Sequence, residues 1–140
     1  MIEAARTMTP AQRQAFVDRF VGHPYTPPST DCYGLVQWFM DELGYQLPWG
    51  EVRPHPEQPI NLLEAATIHP ALTRVEAPEW GDILVFAPTD KTRHGSLALY
   101  VDDGRILTAS AKMGSVVVRL ARLPHPVGVF RVSEEVRRHV

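Results

Sequence analysis

The chain has 140 residues, 44% of them hydrophobic, and 14 Lys plus Arg stand against 16 Asp plus Glu for a formal charge of −2. That length suits one domain with a core of its own, and the near-neutral balance excludes a dedicated nucleic-acid surface, which needs a basic excess. A single cysteine excludes an intramolecular disulfide framework and any multi-thiolate zinc site.

Residues 1–6 carry no basic patch followed by an apolar run, so no signal peptide is expected and synthesis is placed in the cytoplasm. No stretch approaches the roughly 18 apolar residues of a membrane span. Thr9-Pro10-Ala11-Gln12 opens a leading helix over 9–22: Thr9 caps, Pro10 suits the first helical position, Gln12 completes a capping box and Gly22 stops the helix. Residues 23–30 form a proline-stiffened loop. Asp31 opens the clearest helix, 31–44, with Leu35, Val36, Phe39, Met40 and Leu43 on one face and Gly44 as its stop. Residues 45–70 read as a loop and a short helix. Pro48, Pro54, Pro56 and Pro59 mark a surface excursion of the kind that shapes clefts, and Ile60 to Ile68 supply the helix.

The second half changes character. Ile83 to Phe86, Ser96 to Val101, Arg105 to Ala109, Val116 to Val118 and Val127 to Arg131 read as strands, with Asp102-Asp103-Gly104 as a hairpin turn. The sheet spans 82–131, and 132–140 is a short charged tail. Helices first and strands later predict one α+β domain over 1–140, its N-terminal helices packed on a mostly antiparallel five-stranded sheet.

Cys32 stands at the predicted start of the second helix. Two readings apply: a small buried apolar residue, or a nucleophile. The positive end of a helix favours a thiolate, and its first amides suit the oxyanion of a tetrahedral intermediate. A thiol nucleophile needs a base. Of six histidines, His23, His55, His69 and His125 adjoin prolines in loops, and His139 lies in the tail. His94 differs, because it precedes a predicted core strand and so can face a helix packed on the sheet.

These residues resemble a known family. Asp31-Cys32-Tyr33-Gly34-Leu35-Val36 is similar to the D-C-x-G-L-V motif of the NlpC family of papain-like cell-wall cysteine peptidases, in the D-C-Y-G-L-V form of its phage tail-tip branch. Val21-Gly22-His23-Pro24-Tyr25 resembles the G-x-P-Y segment before the nucleophile. Glu79 to Phe86 resembles the P-G-D-L-V-x-F strand, and Ser96 to Ala109 the H-V-G-I-Y-x-G-x-G-x-x-x-H-A hairpin. The resemblance implies a papain-like NlpC fold with Cys32 as nucleophile. Tyr25 is then an oxyanion-side hydroxyl, or else a loop aromatic packed on the first helix. Asp31 lies beside the nucleophile, or else serves only as a cap.

Two departures matter. In strict register the family's base histidine falls on Ser96, and its third polar residue on Thr108. His94 lies two residues before Ser96, about 7 Å along a strand at about 3.4 Å per residue, and replaces the base if the strand extends or bulges at Gly95. Thr108 accepts an imidazole N–H but is short and uncharged. Cys32, His94 and Thr108 are thus the expected catalytic set, and Tyr25, Asp31 and Ser96 the expected oxyanion and substrate set. The implied reaction is cleavage of an amide in a peptidoglycan stem peptide, such as the bond following γ-D-glutamate, with no metal or organic cofactor. The implied partners are that peptide and other phage tail-tip or hub proteins, in a phage or phage-like tail particle. The competing reading is an inactive NlpC-like structural component of a tail tip, for which the Pro-rich loop and the Arg137-Arg138-His139 tail are contact points. A cytoplasmic acyl or amide-exchange enzyme is a third.

Overall fold

Side chains that close the first turn decide where the helices begin. In the computed structural model, which describes residues 1–26, 31–47, 70–89 and 95–138, α1 is Glu3–Arg6, α2 is Pro10–Asp18 and α3 is Cys32–Glu42. Thr9 accepts from the Gln12 amide and the Gln12 side chain accepts from the Thr9 amide, the reciprocal pair expected of a capping box. The helix ends at Asp18, and residues 19–22 turn out of it to Gly22 at φ 87°. Gly44, at φ 91°, closes α3 in the same left-handed shape. The four-residue α1 was not expected; its stretch is too short for helical spacing to show. The Pro27-Pro28 loop, the excursion over 48–59, the short helix expected over 60–68 and His139 lie outside the described residues.

The strands are β1 (Leu72–Arg74), β2 (Ile83–Phe86), β3 (Ser96–Tyr100), β4 (Arg105–Ser110), β5 (Gly114–Arg119) and β6 (Gly128–Val132). They form one antiparallel sheet in the order β1-β6-β2-β3-β4-β5. The sheet therefore has six strands, not the five expected. β1 escaped the sequence because only Leu72 of its three residues is buried; it exists by pairing with β6, Leu72 opposite Val132. The Asp-Asp-Gly turn is present, with Asp102, Asp103 and Gly104 all at positive φ. Asp102 also receives the Arg13 guanidinium at 2.9 Å, which ties the turn to α2.

Alternation along the strands divides the sheet into two apolar faces. Ile83, Val85, Leu97, Leu99, Leu107 and Phe130 share a cluster with Cys32, Leu35, Val36 and Phe39 of α3. Leu84, Ala98, Ile106 and Val129 form the cluster on the other face. α3 lies over β3 and β4. Phe16 of α2 and Phe20, just after it, meet Phe39 at 5.1 Å between ring centroids, and Trp80, just before β2, meets Phe39 at 5.2 Å. Such aromatic pairs add about 0.5–1.5 kcal/mol each beyond their area, so α2, α3 and the entrance to β2 are joined at one point.

Asp82 is fully buried and takes a two-pronged contact from Arg131, at 3.0 and 2.8 Å. The Glu79 amide also donates to it. The Asp82 carboxylate holds the Arg131 guanidinium above its ordinary pKa. The tail folds back onto the helices: the Gln46 amide reaches the Val136 carbonyl, and the Arg138 amide reaches that of Gly44. Tyr45, fully buried, donates to Glu134 at 2.7 Å and accepts from the Ala4 amide. Burial first, and then the Glu134 bond, push its hydroxyl up to about 12.

Replacing Arg131 by Leu strands a buried carboxylate. The expected cost is about 3 kcal/mol, read as a lowered denaturant midpoint at unchanged slope. Tyr45 ionises near pH 10 when unfolded and at about 12 when folded. Its contribution is therefore complete below about pH 10 and is lost as pH rises through about 12. Tyr45→Phe should remove both that pH dependence and a tyrosine ionisation at about 12 in an absorbance titration.

Candidate active site

Asp31 and Cys32 form the best-defined part of the site. Asp31 is the N-cap of α3: its carboxylate accepts from the Gly34 amide at 2.7 Å, and its carbonyl accepts from the Leu35 amide at 2.9 Å. It is only 8% exposed. This is the capping role expected of it, and capping alone accounts for these bonds. Cys32 is the first helical residue and is itself 8% exposed, in the apolar cluster between α3 and the sheet. Cys32 is thus largely buried at the positive end of an 11-residue helix. Burial disfavours a thiolate, whereas the amide dipoles of the first turn favour one.

Tyr25 is partly exposed, on the segment that leaves α2. That segment is held by β5. The Gly22 amide donates to the Ser115 carbonyl at 2.9 Å, the Ser115 amide to the His23 carbonyl at 2.9 Å, and the His23 amide to Ser115 Oγ at 2.8 Å. His23 lies in a loop, and its ring stands edge-on to Trp38 of α3 at 4.9 Å, with its Nε2 2.9 Å from the Arg19 carbonyl. Only the proline after it and the glycine before it hinted at a fixed backbone.

Ser96 opens β3 opposite Phe86. Regular alternation places it on the sheet face of Ala98, away from the face that Leu97 and Leu99 present to α3. Thr108 shares that alternation with Ile106, and its Oγ1 donates to the Leu97 carbonyl at 3.2 Å. Its lone pairs remain as acceptors. Register therefore brings Ser96 and Thr108 to one face of neighbouring strands, while Cys32 belongs to the cluster on the other. His94 lies outside the described residues. β3 begins at Ser96, and Gly95 before it has φ 90°. Among the described residues no three His, Cys, Asp or Glu side chains gather as a metal site, and no helix is long and apolar enough to cross a membrane.

Asp31→Ala should cost about 1 kcal/mol of stability, and Asp31→Asn should recover most of it, measured by thermal denaturation. A loss confined to Asp31→Asn would contradict the capping role.

Comparison with solved structures finds the same fold in NlpC1 from Trichomonas vaginalis, with TM-score 0.61 and 20% identity over 88% of this chain and 43% of that one. An NlpC/P60 family protein from Bacillus cereus gives TM-score 0.59 and 18% identity over 90% and 41%. The NlpC/p60 domain of the peptidoglycan hydrolase SagA gives TM-score 0.54 and 16% identity over 90% and 99%. The chain thus spans less than half of the first two and nearly all of the third. No curated protein matches the sequence. The profile of the NlpC/P60 family matches residues 19–126, which takes in α3 and the sheet from β1 to β5. The chain belongs to the NlpC/P60 family, which includes peptidoglycan hydrolases.

Proposed function

We propose that the protein is a cysteine peptidase that cleaves amide bonds in peptidoglycan stem peptides. The observation that carries this reading is Cys32 at the first position of a helix whose cap is supplied by Asp31. Family membership supports it, as does the similarity to a domain of a peptidoglycan hydrolase. In this mechanism His94 removes the thiol proton, and the Cys32 sulfur attacks the amide carbonyl. The positive end of α3, with the Tyr25 hydroxyl, stabilises the oxyanion. His94 then protonates the leaving amine, and water, deprotonated by the same imidazole, releases the thioester as the acid. Thr108 and Ser96, on the sheet face away from the cluster that holds Cys32, take no part in these steps.

We place this activity in a phage or phage-like tail particle, made in the host cytoplasm, where it opens the wall locally. The D-C-Y-G-L-V form around Cys32 supports that setting. A second reading, an inactive structural component of the tail tip, is favoured by one observation. Ser96 and Thr108 stand where the family motif has histidines, and both fall on the sheet face away from the cluster that holds Cys32.

Purified protein incubated with peptidoglycan fragments should release new amino groups, and Cys32→Ala should abolish that release. His94→Ala should lower the rate by about 100-fold or more. Equal inertness of wild type and Cys32→Ala across pH and after assembly with tail partners would select the structural reading.

A further inference from the structure

We infer that Ser115 is a positioning residue for the nucleophile groove, acting through the segment that carries Tyr25. This rests on the peptidase reading and adds a residue to it. β5 is an edge strand, and an edge normally leaves its backbone groups to solvent. Here the edge is taken up at Ser115, which is 2% exposed and bonds Gly22 and His23 through its amide, carbonyl and hydroxyl.

The approach is close enough to constrain the residues around it. A Cβ on Gly114, at φ 73°, would collide with the His23 carbonyl. Gly22, also at positive φ, turns the chain out of α2 into the contact. Beyond His23 the chain has little freedom before Tyr25: Pro24 fixes its own φ and restricts His23 to extended shapes. One clamped peptide and one rigid residue thus set the starting point of Tyr25. On its other side Ser115 pairs with Ala109, and the next pair is Val116 with Thr108. The same strand therefore joins the Tyr25 segment to β4. The hydroxyl is the only side-chain part of the clamp, so its removal leaves the His23 amide without its acceptor.

The test compares wild type, Ser115→Ala, Ser115→Thr and Tyr25→Phe, each checked for folding by circular dichroism and melting temperature. On peptidoglycan fragments, Ser115→Ala should lower kcat about tenfold, with KM within twofold and threonine restoring most of the rate. The effects of Ser115→Ala and Tyr25→Phe should be less than additive. Alkylation of Cys32 by iodoacetamide gives a readout that needs no turnover. It should change at least threefold in Ser115→Ala and return towards wild type in Ser115→Thr. An unchanged alkylation rate in a folded Ser115→Ala protein overturns the inference, as does a loss confined to KM. A wild type inert on the fragments, with alkylation still dependent on Ser115, overturns the peptidase reading and leaves the positioning role standing. If Ser115→Ala does not fold, the same comparison is read from Gly22→Ala, which strains the clamp from the loop side.

Discussion

The first turn of α3 is held in place from three directions, and the rest of the molecule is arranged around that hold. Asp31 closes the turn from below, its carboxylate on the Gly34 amide. The apolar face of the helix, from Leu35 to Met40, is pressed onto the sheet face built by Leu97, Leu99 and Leu107. The aromatic group of Phe16, Phe20, Phe39 and Trp80 fixes the helix against its neighbour α2. A helix anchored by apolar contact along its length and by a side-chain cap at its start has little room to slide. Cys32 therefore has a fixed position in space, which catalysis of any kind at this thiol would require.

The sheet serves this hold at two distances. Near the helix, β3 and β4 supply the surface on which α3 lies. Farther away, Asp82 and Arg131 tie β6 to the turn that enters β2, and the tail from Ser133 to Arg138 closes over the far end of α3 through Tyr45 and Gly44. The tail residues within the described structure are thus occupied inside the domain. β5, at the opposite edge, is used differently: its first residues bond Gly22 and His23, on the segment that leaves α2, rather than another strand.

Elements governed by local chemistry were legible in the sequence. The Thr9–Gln12 capping box, the Asp31 cap, the glycine that closes α3 and the Asp-Asp-Gly turn each depend on residues within a few positions of one another, so the start of α2, the whole of α3 and the β3–β4 hairpin could be read directly. β1 and α1 depend on distant partners: β1 on Val132 of β6, and the first turn of α1 on Glu134, whose carboxylate receives the Glu3 amide. Asp31 as a cap was equally readable. The Ser115–His23 contact was not, because 92 residues separate its partners and a serine in a valine-rich strand carries no periodic signal. The relation of Ser96 to the base shows a further difficulty. Motif register puts Ser96 at the base position, but which face it occupies depends on where β3 begins, and that is set by Gly95.

Alkylation of Cys32 across pH, in wild type and in His94→Ala, bears most directly on whether this thiol is poised for attack. A sulfur activated by the helix end and by an imidazole reacts well below pH 8.5, the approximate range of a free thiol, and loses that low-pH reactivity in His94→Ala. A single rise near about pH 8.5 in both proteins would show a thiol without an activating base and contradict the mechanism.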